Sequence, residues 1–333
     1  MRRRDFIKFV AICAAAQPLA ARAQQATKIA RIGVLGPNRA GDSDPSLIML
    51  NAFLAASQEL GYTDGQNIVF ERKFANGDVS RLRALADELV QQRVDIIVAI
   101  STTAARAAKQ ATSTIPIVAI GMADPVGDEL VASLARPGGN VTGTAFLGPE
   151  LVSRRLQLLK ELVPGISRVA VLWHPLAYSE RTMTGMLKET EGAANTLGTK
   201  LQFVPVAGGG DLEPAFAAMV NGRAEAIIIF PSPMLYGQYA RIVDLAERNR
   251  LPAIYAAREG AELGGLASYG VNLADLSRST AVYLEKILKG ASPAELPVQQ
   301  PTKFELVINL KTAKTLGLEI TRAFLQLADE VIE

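Results

Sequence analysis

An α/β fold of two doubly wound parallel-sheet lobes joined by multiple crossovers is what this sequence predicts, on three observations. The first is the stretch 95–125, DIIVAISTTAARAAKQATSTIPIVAIGMADP. Its two apolar runs, Ile96–Ile100 and Ile117–Ile120, are too short for helices and rich in β-branched residues, so each reads as a strand buried on both faces. Ala104–Ala111 between them is a strong helix former. The second observation is a repeat of that unit. Ala224–Phe230, the helical pattern Tyr239–Arg248 and Leu251–Tyr255 follow the same plan, and Leu251-Pro252-Ala253-Ile254 answers Ile115-Pro116-Ile117-Val118. The third is the length: 333 residues suggest two domains, and 49% hydrophobic content supplies two cores.

The remaining elements fall in order. Ile29–Leu35 reads as the first strand, and the apolar spacing of Leu47, Leu50, Phe53 and Leu54 as the helix after it. Asn67–Phe74 is a second strand and Val79–Gln92 a helix whose inward face is Leu82, Leu85, Leu89 and Val90. Beyond the opening unit, Asp128–Leu134 is a short helix ended by Pro137-Gly138-Gly139, and Val141–Phe146 is a strand leaving the first lobe. The second lobe reads Glu150–Val163 helix, Val169–Trp173 strand, Ser179–Leu197 helix, Leu201–Val206 strand, Leu212–Val220 helix, then the repeated unit and the strand within Gly264–Val271. Leu276–Leu288 is a helix expected to pack back on the first lobe, and Phe304–Ile308 is a last strand before the helical Leu310–Leu316. The domain boundaries are therefore 28–145 plus 272–300 for lobe 1, and 147–270 plus 302–333 for lobe 2. Several crossings would make a hinge of parallel linkers suited to closing around a ligand.

Residues 1–23 read as an export signal. A basic start is followed by the apolar Phe9–Ala21 and the small-x-small pattern Ala21-Arg22-Ala23. Arg3-Arg4-Asp5-Phe6-Ile7-Lys8 fits a twin-arginine signal, and the general secretory route is the other candidate. That segment carries a net +4, so removing it from a chain of +2 leaves −2. A protein this close to neutral has no electrostatic case for nucleic acid. Cys13, the single cysteine, goes with the signal, which leaves no disulfide and no thiolate.

Counting excludes most chemistry. With one histidine and no cysteine after processing, His/Cys zinc sites and a Cys-His dyad cannot be built. There is no G-x-S-x-G elbow around a serine, no G-x-x-x-x-G-K-[ST] and no G-x-G-x-x-G, so neither an enzyme, a metal nor a cofactor is expected.

Ligand-binding candidates follow from position, because ligands of open α/β sheets sit at the carboxyl ends of the strands. Asn38 ends the first strand. Ser101, Thr102 and Thr103 stand where a strand becomes a helix; they cap that helix, and their hydroxyls with its free N–H groups form an anion site for a ligand carboxylate. Asp124 either stabilises the following helix through its dipole or meets a ligand ammonium. His174 opens a loop facing the cleft or its rim, where a solvated histidine is the plainer account. Ser232 follows the repeated unit's strand, and Tyr178, Tyr255 and Tyr269 lie near strand ends, able to stack on a ligand or to fill core.

Several segments carry a family likeness. Thr114-Ile115-Pro116-Ile117-Val118, Asp124-Pro125-Val126-Gly127, the run Leu134-Ala135-Arg136-Pro137-Gly138-Gly139-Asn140-Val141-Thr142-Gly143 and Phe304–Leu316 (FELVINLKTAKTL) resemble the ABC-transporter substrate-binding family that includes tryptophan/tyrosine-binding lipoproteins. The resemblance covers essentially the whole chain after the signal. It implies a type I periplasmic-binding-protein fold with three crossovers and a ligand in the cleft, lined by the Ser101–Thr103 and Asp124 loops. Two features depart from the pattern: His174 stands where the family often has Asn, and the signal lacks a lipobox, which points to a soluble periplasmic protein. The implied function is that of a monomeric solute receptor. It would capture an amino acid or carboxylate by hinge closure and deliver it to an ABC permease in the inner membrane. The alternative is a ligand-binding sensor component feeding a chemoreceptor or kinase; a hydrolase or isomerase on the same scaffold would betray itself by turnover.

Overall fold

The structure, a computed structural model, describes residues 29–37 and 45–333. The export signal and Asn38 lie outside the described residues.

Two separate sheets organise the chain. The first takes β1 (Ala30–Gly36), β2 (Ile68–Phe74), β3 (Ile96–Ile100), β4 (Ile117–Met122) and β5 (Val141–Ala145) in the order β2-β1-β3-β4-β5, with every pair parallel. Each residue of β3, β4 and β5 is buried, as expected of strands covered on both faces. On one face lie α2 (Leu82–Gln91) and α3 (Thr102–Ala111), whose Leu85, Leu89, Ala104 and Ala108 pack on Ile97, Ala99 and Ile117. On the other lies α1 (Pro45–Glu59), through Leu50 and Phe53.

The second sheet begins with the same plan. It holds β6 (Arg168–Trp173), β7 (Lys200–Pro205), β8 (Ala226–Ile229), β9 (Ala253–Tyr255) and β10 (Ala267–Gly270). Their order, β7-β6-β8-β9-β10, repeats that of the first sheet. The long helices α4 (Gly148–Leu162) and α5 (Glu180–Thr196) cover one face, packing Val152, Leu156, Leu159 and Met186 on Val169, Val171 and Ile228. Three further helices are α6 (Leu212–Asn221), the single turn α7 (Pro233–Tyr236) and α8 (Tyr239–Arg248). Of these, α6 and α8 cover the opposite face.

The chain passes between the sheets three times: from β5 into α4, from β10 into α10 (Leu273–Leu288), and from the segment around Gln299 into β11 (Glu305–Asn309). Before β10, residues Arg258–Glu262 form the short helix α9. The helix α10 packs on α1, β4 and β5, the return to the first lobe that the sequence led one to expect. Segment 294–299 then lines the β5 edge, with Ala145 donating to Gln299 and Gln299 to Gly143, both at 2.9 Å.

Four details differ from the sequence reading. First, β11 pairs antiparallel with β10, because the third crossing delivers the chain at the cleft end of the sheet and the strand must run away from it. Second, an unforeseen edge strand, β12 (Glu330–Ile332), pairs with β11 beyond α11 (Leu310–Thr315) and α12 (Arg322–Leu325). Third, residues 79–81 form a 3-10 turn before α2 instead of its first turn. Fourth, no helix forms over Asp128–Leu134. The N–H groups of Leu130 and Val131 both donate to the Pro125 carbonyl, and Glu129 turns left-handed at φ 56°.

Within the resembling run, Gly143 has φ 131° and a Cβ there would overlap the Ala119 carbonyl of β4. Only glycine lets β5 come this close at its register shift.

Candidate functional site

Both sheets turn their switch points toward each other. Strand order reverses at β1/β3 in one and at β6/β8 in the other, where ligand crevices form at carboxyl ends. A narrow pocket of about 30 Å³ lies there. From the first lobe Met49, Ile100, Ser101, Thr102 and Gly121 line it; from the second, Ala177, Tyr178, Pro233 and Tyr236. Phe146 and Leu273, at two of the crossings, complete it. The lining is mainly apolar with hydroxyls at its edge, the make-up of a small-molecule site, and the lobes must part to admit a guest.

The lobes touch across this pocket. Helix α7 meets α1, and the Phe146 and Tyr178 rings lie 6.4 Å apart at 48°. The Ser179 N–H donates to Asp128 Oδ1 at 3.0 Å, tying the loop after β4 to the start of α5. One apolar core runs without a break from Phe53 and Leu284 of the first lobe to Leu235 and Tyr239 of the second. The cleft is shut.

The hydroxyl cluster forms as the strand-to-helix junction demands. Ser101 is the N-cap of α3 and its Oγ accepts from Ala104 N–H at 3.5 Å, with Thr103 Oγ1 2.9 Å away. Its backbone is held at φ 92°, ψ 164°, a region costly for any residue with a Cβ. Thr102 Oγ1 accepts from Ala123 N–H at 2.9 Å, clamping the end of β4. Ser101 and Thr102 reach the pocket, whereas Thr103 turns to a rim groove beside Leu176.

Other candidates fall differently. Asp124 accepts from Gly127 N–H at 2.8 Å and holds a turn; with no helix after it, the dipole role is absent, and it does not line the pocket. His174 is buried at 3% exposure instead of solvated, because the β6/β8 switch point brings it against Ser232, with Nδ1 3.5 Å from Oγ. Burial lowers its pKa below the usual histidine value. Ser232 caps α7, accepting from Leu235 N–H at 3.2 Å. Tyr178 lines the pocket and donates its hydroxyl to the Pro231 carbonyl, with its pKa raised by burial. Tyr255 is fully buried edge-on to Tyr239 at 5.0 Å, on the α8 side of the sheet, and Tyr269 packs on Phe304 at 6.1 Å; neither lines the pocket. Both sit on strand faces that point into helices, which position along a strand does not reveal.

Sequence reasoning passed over Tyr236, Asp128 and Arg155. Tyr236 sits one turn into α7 and stacks edge-on against Tyr239 at 5.4 Å. Asp128 is 7% exposed and its Oδ2 is buried without a partner. Arg155, on the inward face of α4, is 1% exposed; Nε donates to the Tyr269 carbonyl at 2.8 Å and Nη1 has no partner. Burial lowers its pKa, opposed by the neighbouring phenols of Tyr236, Tyr239, Tyr178 and Tyr269. The one available sign was that position 155 shares the stripe of Val152, Leu156 and Leu159.

Comparison with known proteins completes the picture. A family model described as ABC transporter substrate binding protein matches residues 43–332. A curated "Tyrosine-binding protein" of Clostridioides difficile (strain R20291) is 27% identical over 268 residues, 80% of this chain and 76% of that protein. A structure from Streptococcus pneumonia, an ABC domain in complex with L-Trp, is 28% identical, with TM-score 0.83 over 91% of this chain and 99% of that one. A ligand-free, open substrate-binding protein with adhesive properties from Clostridium difficile is 26% identical, covering 92% and 99%, yet reaches only TM-score 0.65. The shut cleft of this chain accords with its higher score against the structure in complex with L-Trp than against the open one.

Proposed function

The chain belongs to the ABC transporter substrate-binding protein family, and from that premise we propose that it captures an amino acid, or a related aromatic or aliphatic carboxylate, by hinge closure. Its fold is the type I periplasmic-binding-protein arrangement, and the family assigns it a small-molecule ligand and an ABC permease as partner. Proteins of this family work outside the cytoplasm, and no helix among the described residues is long and apolar enough to cross a membrane. The observation that carries the ligand reading is the interlobe pocket, apolar on both walls and edged by Ser101, Thr102, Tyr178 and Tyr236. A relative named for tyrosine and a similar structure holding L-Trp support an amino acid as guest.

In this reading residues 1–23 direct export to the periplasm by the twin-arginine or Sec route. The remaining protein acts as a monomer, binds no nucleic acid and releases its ligand unchanged. Lobe 1 is 28–145 plus 272–300 and lobe 2 is 147–270 plus 302–333, hinged at the three crossings. Asn38, Ser101, Thr102, Tyr178 and Tyr236 are the residues proposed to meet ligand.

A thermal-shift screen of the chain lacking residues 1–23, against amino acids and simple carboxylates, tests this. A ligand present at one hundred times its Kd stabilises the folded state by about 2.7 kcal/mol and raises the Tm. A flat response to every amino acid and carboxylate would remove the proposed ligand class.

A further inference from the structure

We propose that Arg155 is the carboxylate-recognising group of this receptor, an assignment that rests on the ligand class just given. The hydroxyl cluster at the start of α3 is neutral and partly engaged, Ser101 with Thr103 and Ala104 and Thr102 as acceptor from Ala123, so it can add a hydrogen bond to a ligand but no opposite charge for a carboxylate. Arg155 is the opposite case. It is a cation at 1% exposure with no ion pair to any carboxylate among the described residues, and Nη1 makes no hydrogen bond. A buried charge in that condition is costly unless something neutralises it.

Its placement points to what does. Side chains on a helix lean toward the helix N-terminus. Arg155 therefore leans back toward the crossing at Phe146, which lines the pocket. Its Nε is fixed by the carbonyl of Tyr269, next to the carboxyl end of β10, the cleft end of that strand. A Cβ at Gly270 would overlap the Ala256 carbonyl at 2.0 Å and touch Nη2 at 3.6 Å, so the guanidinium lies against the carboxyl end of β10. Two of the four phenols around the guanidinium, Tyr178 and Tyr236, are also walls of the pocket. Arg155 lies behind Tyr178 and Tyr236 and does not itself line the shut pocket; a carboxylate that displaces Tyr236 would meet a guanidinium already oriented by one hydrogen bond, with a free N–H in the fork that suits a planar anion.

The test compares L-tyrosine and L-tryptophan with their carboxamides, and benzoate with benzamide, on the wild-type protein and on Arg155→Met and Arg155→Lys. Isothermal titration should show the wild type favouring acid over amide by about 100-fold, the scale of a buried charge pair. In Arg155→Met that preference should fall to within a few-fold, amide binding staying near its wild-type value; Arg155→Lys should retain part of it. Unliganded Arg155→Met should melt no lower than wild type, because it loses an unneutralised buried charge. Acid and amide weakened equally by Arg155→Met, or a lowered Tm with the preference intact, would assign Arg155 a structural role and overturn the proposal. Should Arg155→Met not fold, Arg155→Lys with undiminished preference overturns it as well. Wild type binding none of the acids rejects the ligand class itself, and the assignment falls with it, a result visible without any variant.

Discussion

Asp128 Oδ1 of the first lobe accepts a hydrogen bond at 3.0 Å from the backbone N–H of Ser179, the N-cap of α5 in the second lobe. The carboxylate is buried and stands at a helix N-terminus, where a negative charge is favoured. The bond exists only while the lobes are together, so it contributes to closure and not to either lobe alone. Asp128→Ala is expected to weaken ligand binding by about 1–3 kcal/mol, with Asp128→Asn losing less because it keeps an acceptor. Small-angle scattering of Asp128→Ala without ligand should show a larger radius of gyration. An unchanged Kd together with an unchanged radius would dismiss the latch.

Ser101 combines a cap with strain, and the two can be separated. Ser101→Gly relieves the positive φ while keeping most of the cap's backbone preference; Ser101→Ala keeps the strain and loses the cap. Chemical denaturation should find Ser101→Gly more stable than Ser101→Ala by about 2 kcal/mol. Equal stabilities would mean the junction holds no strain.

The single histidine gives a pH dependence with a definite sign. Burial depresses the folded-state pKa of His174 below its ordinary value of 6.5. Between the two values the unfolded chain binds the proton and the folded protein does not. Stability is therefore complete above pH ~6.5 and declines as pH falls below it, with a slope of up to about 1.4 kcal/mol per pH unit. Buried Glu259, whose pKa is raised above the ordinary 4.5, acts in the opposite sense, gaining stability as pH falls, and is common to both proteins in the comparison. Melting curves of His174→Asn beside wild type from pH 7.5 to about 5 isolate the effect; parallel curves for the two proteins would reject it.

Much of this architecture can be read from residue order. Ile96–Ile100 and Ile117–Ile120 are strands because β-branched runs of that length fit a sheet covered on both faces, and Leu251-Pro252-Ala253-Ile254 marks the repeat because the same β-α-β unit builds both sheets. The direction of β11 was hidden, since a buried strand has the same apolar pattern whichever way it runs. The site was legible only at strand ends. Ser101, Thr102 and Tyr178 reach the pocket, but Tyr255 and Tyr269 have equivalent positions and face helices. Arg155 was hidden for a different reason: beside the half-buried Arg154, it looks like one of two solvated charges on an amphipathic helix.

Gly143 is where the β5 backbone meets β4 most closely, and Ala119 leaves no space for a methyl group. Gly143→Ala must shift the strand or abandon the left-handed backbone, a loss of about 3 kcal/mol or more when overpacking and strain add. Soluble yield and urea midpoint report it; wild-type values for both would show that β5 can move aside.

The covering of the first sheet by α10 sets an order of assembly. Leu50 and Phe53 of α1 share a core with Leu276, Leu284 and Ile287, and those three arrive only after the entire second sheet up to β10 has been made. A polypeptide lengthening from its N-terminus therefore holds the first lobe half-clothed while the second has nearly all its strands. Contacts so distant along the chain make for slow folding and a long exposure of apolar surface. A fragment ending at Gly270 is the molecule frozen at that moment, and it should clump until a peptide of residues 271–300 is supplied.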